Sequence, residues 1–243
     1  MVFQVDGMVV RLGSHTYAAT SVALKTFIVL MMIDAIIEAS LVCSSIGWLN
    51  DVARGRVLRF VTYGSKYRLP ALPRHLIRDP LHTSNGAAGT AFAFVGLGGL
   101  AVLTLRDWAQ YRTGTGPKCC RIFYYLWVSA NTPALFFTGA TMVYVLVLSN
   151  TRAGQKIHVQ KAVNLHGRPY DLDDWPPDVW FSAVLDLKLT QDRGEIAKQL
   201  GVMRAWIYNL PLMFLFQSTV TVLGYMDYNR WTIKPRAPGG VHY

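Results

Sequence analysis

Acidic residues and cysteines are scarce in this chain. Against 24 Lys and Arg there are only 14 Asp and Glu among 243 residues, a formal charge of +10. None of the three cysteines falls in the two long polar stretches, 50–85 and 150–202, so a disulfide-stapled ectodomain is excluded. Residues 1–21 lack a basic start followed by an apolar core, and Asp6 and Arg11 lie among them. No cleaved signal peptide is expected, and no Arg-rich amphipathic targeting helix is present.

Catalytic and cofactor signatures are missing too. There is no nucleophile elbow, Walker sequence or haem-attachment sequence, and no zinc-finger spacing or aromatic ribonucleoprotein motif. The glycines between 86 and 99 are not followed by Lys-Ser/Thr. They suit close helix packing, with Gly89 and Ala93 as a small-xxx-small step. His75, His82, His158 and His166 show no metal-ligand spacing. Nucleic acid is therefore not the expected partner of the positive charge. Basic loops beside anionic lipid headgroups are.

Long apolar runs are what the chain does have. They cover 26–49, 86–105, 122–149 and 205–226. Each reaches the ~20 residues that cross ~30 Å of hydrocarbon as a helix. The expected fold is all-α: a polytopic integral membrane protein with four transmembrane helices in a bundle, one membrane domain over 1–243. With no Arg-rich targeting helix, an endomembrane or plasma membrane is the expected location, and the mitochondrion stays open. Orientation is not readable: head, tight loop and tail carry nine Lys or Arg, the two long loops fourteen over more residues.

The loops differ in character. Residues 50–85 carry Arg54, Arg56, Arg59, Lys66, Arg68, Arg74 and Arg78 with interleaved Phe60, Tyr63 and Tyr67, which suits a segment lying on headgroups. Pro70, Pro73 and Pro80 argue against a continuous helix there. In 150–202, Pro176-Pro177 is placed to start a helix. Val179, Trp180, Ala183, Val184 and Leu187 recur at helical spacing behind it, predicting an amphipathic interfacial helix over 178–189.

Asp34 and Glu38 are the sharpest chemical feature. They stand one helical turn apart in the first run, where a charge costs roughly 2.5–3.5 kcal/mol even on lenient insertion scales. A stripe of Ala35, Ala39 and Cys43 beside them predicts that they face a neighbouring helix. With no cation inside any run, the available partners are Asn131, Asn209, Gln217 and hydroxyls. Two roles compete: carboxyls that hydrogen-bond to amides and set helix register, or a catalytic acid/base pair in a substrate-filled cavity. Proton or cation transport is a third possibility that lacks an evident polar path.

Three weaker features complete the reading. Asn131-Thr132-Pro133 and Asn209-Leu210-Pro211 predict proline kinks in the third and fourth spans. Asp171-Leu172-Asp173-Asp174 is similar to the proton-donating tetrapeptide of class II terpene cyclases. Clustered aspartates such as Asp171, Asp173 and Asp174 also suit Mg²⁺, the one cofactor that would follow if the cluster were functional. Cys119-Cys120 before Arg121 is a candidate lipidation site.

The stretches 174–181 (Asp-Trp-Pro-Pro-Asp-Val-Trp-Phe) and 203–210 (Met-Arg-Ala-Trp-Ile-Tyr-Asn-Leu) resemble the last loop and last span of four-span membrane proteins of filamentous fungi. The layout is also similar to claudin-type topology, but 50–85 lacks the claudin cysteine pair, so an adhesion role is not implied. The reading that follows is a structural, interaction-type membrane component with possible membrane-protein partners. A small membrane enzyme acting on an isoprenoid or other lipid is the alternative.

Overall fold

The computed structural model describes residues 3–109, 115–165 and 167–233, with side chains from 19 to 231 within them. His166 and the side chains of Asp6 and Arg11 lie outside the described set. The elements run α1 (Phe3–Ala53), β1 (Val57–Thr62), β2 (Ser65–Pro70), α2 (Asp79–Gly89), a π-helical stretch (Thr90–Leu97), α3 (Gly98–Ala109), α4 (Gly116–Thr151), α5 (Val159–Asn164), α6 (Pro177–Leu185) and α7 (Arg193–Ile233).

Four helices are long and apolar enough to cross a membrane: Ala19–Ala53, Asp79–Ala109, Gly116–Thr151 and Arg193–Trp231. The chain is an all-α, polytopic integral membrane protein. Each helix extends beyond its apolar run because nothing breaks it there. In α1 the helix continues to the Arg54-Gly55 turn, where Gly55 takes φ +99 and ends it. The large apolar side chains left exposed, among them Ile33, Ile36 and Ile37 on α1 and Leu212, Leu215 and Val222 on α7, are those a bilayer would cover. Both Asn-x-Pro prolines lie inside uninterrupted helices, Pro133 in α4 and Pro211 in α7.

The chain divides into two compact units, and every long helix contributes to both. The first comprises Met1–Ile33, Thr90–Phe136 and Leu215–Tyr243. Its core closes around Trp127. A Cβ on Gly99 would lie 2.6 Å from the Trp127 ring and 3.0 Å from Ile28, so glycine is what lets these side chains meet there. Gly89, expected to form such a contact, faces open space, because the close approach is made one helix segment later.

The second unit, Asp34–Gly89 with Phe137–Phe214, contains both long loops, which fold together. Residues 50–85 contain a β-hairpin whose register pairs Thr62 with Ser65 across Tyr63-Gly64. Both turn residues have positive φ, +48 and +76, which matches the twist of a two-residue hairpin turn. Residues 188–190 pair on the other edge of β1: Val61 N–H donates to Lys188 O at 2.9 Å and Thr190 N–H to Arg59 O at 2.9 Å. A second bridge joins Leu76 to Trp175. The two loops are therefore on the same side of the membrane, as a four-span path requires.

An aromatic cluster forms the core of this cap. Trp175 and Trp180 meet edge-on at 5.1 Å, and Tyr170 lies 5.7 Å from Trp180. Trp180 also donates its indole N–H to Ala71 O at 2.8 Å, tying α6 to the hairpin. The predicted helix begins with Pro177 at its first position, as expected, but ends at Leu185. The predicted apolar face, Val179, Trp180, Ala183, Val184 and Leu187, is buried, with Phe181 beside it. Below the cap, Arg56 grips Glu195 through two hydrogen bonds of 2.6 and 2.5 Å, joined by Trp48 Nε1 at 2.8 Å. That bidentate clamp fixes the exit of α1 against the start of α7.

Candidate functional site

The α1 carboxyls are buried, Asp34 at 4 % and Glu38 at 0 % exposure. The buried face runs Met31, Asp34, Ala35, Glu38, Val42, Ser45 and Leu49, a 3–4 residue period. It lies slightly to one side of the predicted small-residue stripe: Ala35 is buried, Ala39 half-buried and Cys43 exposed. Asn209 of α7 is the side chain that interacts with both carboxyls. It does so without a hydrogen bond of ordinary geometry: Asn209 Nδ2, Asp34 Oδ2 and both Glu38 oxygens have none among the described residues. Of the three amides expected as partners, Asn209 is the one brought to the pair within this unit. Neither carboxyl has an ion pair among the described residues.

A buried cation does exist, in the other unit. Arg106 of α3 is 2 % exposed and pairs with Asp227 of α7, itself fully buried. Tyr124 donates its hydroxyl to Asp227 Oδ2 at 2.6 Å, and Arg106 Nη2 donates to Ser21 at 2.8 Å and to Asp107 at 2.7 Å. By sequence, Arg106 and Asp227 read as the ends of apolar runs. The signal that could have joined them is their complementary charge, each next to a helix rich in tyrosine and tryptophan. The network has the character of a structural tie between α1, α3, α4 and α7, with Asp227 Oδ1 left without a hydrogen bond among the described residues.

The remaining predicted residues lie apart. Asp171 is exposed and held by Lys161 at 3.1 Å, which keeps its carboxyl below the usual carboxylate range. Asp173 and Asp174 are also exposed, Asp173 at φ +61, in the turn leading to Trp175. Among the described residues no three His, Cys, Asp or Glu side chains converge as a metal-ligand set. Cys119 is exposed and Cys120 buried near the start of α4, so of this pair Cys119 is the one with an accessible thiol.

Sequence reading did not find the organised face of the hairpin. Leu58, Phe60 and Leu69 point inward, while Arg59, Lys66 and Arg68 are exposed. The register sets Arg59 directly across from Arg68. Like charges in that position repel. Comparison with protein-family models, with curated proteins and with solved structures finds no match to this chain.

Proposed function

We infer that this multi-pass membrane protein is a structural, interaction-type component that uses the cationic hairpin face of its cap to engage an anionic partner surface in the membrane. The opposed Arg59–Arg68 pair carries this reading. A folded cap that holds two guanidinium groups face to face gains stability when an anion lies over them. The test is covalent cross-linking in intact source membranes, wild type against R59E/R68E. Wild type should run in an assembly larger than one chain, and the variant, at equal abundance, as a single chain. A wild type that never exceeds the mass of one chain would overturn the reading, as would an R59E/R68E variant that assembles normally.

The orphaned oxygens of Asp34 and Glu38 favour a second reading, a small membrane enzyme with these carboxyls as acid and base. Asp34→Asn and Glu38→Gln keep shape and hydrogen-bonding capacity but remove proton transfer. Lipid-soluble metabolites should then change while abundance stays normal. Unchanged metabolites at normal abundance would sink it.

A further inference from the structure

A cleft of about 530 Å³ opens in the second unit where α4 ends, α6 begins and α7 starts its apolar run. Its lining includes Ser149, Gln155, Lys156, Asp178, Ser182, Asp186, Arg204 and Tyr208. Ser149 is the last residue of the apolar run 122–149, and Arg204 immediately precedes the run 205–226. Those positions put the cleft at the level where a bilayer presents its headgroups. Tyr208, 72 % exposed, has the amphipathic ring typical of that depth.

Two cations, Lys156 and Arg204, and two carboxyls, Asp178 and Asp186, line the cleft, so its net charge is zero and it offers partners of both signs. Arg204 Nη2 is anchored by Ser182 Oγ at 3.2 Å, and its exposed guanidinium retains further donors. The Asp178 carboxyl is fixed by Ser149 and by the N–H groups of Asp178 and Val179 at the start of α6. Burial pushes it above the usual carboxylate range, although Arg204 draws it back. Gln155 Oε1 is buried and has no hydrogen bond among the described residues, an acceptor in want of a donor.

We propose that this cleft binds a phosphoethanolamine headgroup, its phosphate held by Arg204 and Lys156 and its primary ammonium by Asp178, Asp186 and Gln155. A quaternary ammonium has no N–H to give to Gln155 Oε1 or the carboxyls, so a phosphocholine group satisfies the same site less well. The source is a membrane phospholipid, because the cleft meets the ends of two apolar spans whose outer faces would hold the acyl chains. The site does not depend on the hairpin-face reading.

The test is retention of lipid by the full chain, reconstituted in vesicles of equal phosphatidylethanolamine and phosphatidylcholine, extracted into detergent and weighed by native mass spectrometry. Wild type should keep phosphatidylethanolamine in preference. R204Q and K156Q should each lower retention of both lipids by about tenfold, the loss of one charge-assisted hydrogen bond. Q155L/D186N should remove the preference and leave total retention higher than in R204Q. A thermal scan of each variant confirms that it is folded, with R204K as the milder substitute if R204Q is not. Equal retention of the two lipids by wild type would overturn the ammonium assignment, and undiminished retention in both R204Q and K156Q would overturn the site. Displacement of the lipid by millimolar soluble phosphoethanolamine would overturn the membrane source.

Discussion

Asparagine at position 227 would leave the Arg106 guanidinium buried beside a neutral side chain. Arg106 is 2 % exposed and Asp227 fully buried, so neither charge has water to fall back on. Breaking a buried pair by removing one partner costs about 3–5 kcal/mol, chiefly the penalty of the charge left behind. Asp107 still accepts from Arg106 at 2.7 Å and is 40 % exposed, which places the expected loss near the lower end, about 3 kcal/mol. Lys25→Met is the control. It removes an ion pair of 2.7 Å whose partners are 46 % and 40 % exposed, worth about 0–1 kcal/mol. The measurement is reversible unfolding of the full chain in mixed micelles by detergent titration. R106M/D227L should recover to within about 1 kcal/mol of wild type, because removing both charges removes the orphan. The reasoning is refuted if D227N costs no more than the Lys25→Met control, or if the double variant is no better than D227N.

Trp180→Ala should destabilise the cap by about 3–5 kcal/mol, the usual loss for a large buried aromatic. It also leaves Ala71 O without its indole donor, so limited proteolysis should cut within 50–85 in the variant and spare wild type. Asp178 tests electrostatics. Its folded carboxyl titrates above the unfolded value, so the folded state binds the extra proton, and stability falls as pH rises through the folded pKa. The groups facing it are Ser149 on α4, Arg204 on α7, and Lys156 and Asp186 around the cleft. Thermal scans between about pH 4 and 8 should show Asp178→Asn gaining on wild type as pH rises, and an identical pH profile for the two would contradict the sign.

The spans were legible because bilayer transfer acts on composition alone. A run of about 20 apolar residues needs no tertiary partner to declare itself. The cap was not legible, for the opposite reason. Val57–Thr62 has the β-branched residues of a strand, but its turn uses Tyr63-Gly64 in place of the Asn-Gly that marks a two-residue hairpin. What holds Tyr63 at positive φ is the pairing of the flanking strands and the packing of Phe60 and Leu58 beneath them, contacts that reach Leu189, more than a hundred positions away. The π-helical stretch Thr90–Leu97 was likewise invisible, since its apolar residues suit any helix in a membrane.

Burial of Asp34 and Glu38 could be read from a 3–4 residue period, which any packed helix imposes. Their partner could not, because Asn131, Asn209 and Gln217 are chemically alike and only the path of α7 chooses Asn209. The ionisable residues that proved to be paired, Arg106 and Asp227, looked instead like punctuation at the ends of runs. The contrast bears on function. Where this chain needs a buried charge for architecture, it supplies a counter-charge, a tyrosine hydroxyl and a serine together. The Asp34–Glu38 pair receives one amide and keeps three oxygens without hydrogen bonds among the described residues. A protein that pairs one buried charge in this way has the means to pair another. If the α1 carboxyls were only a register device, Asp34→Leu with Glu38→Leu should stabilise the fold, since an apolar pair of similar reach removes two desolvated groups. A stabilised double variant that has lost its lipid-soluble metabolites would separate the chemistry of these carboxyls from any structural duty.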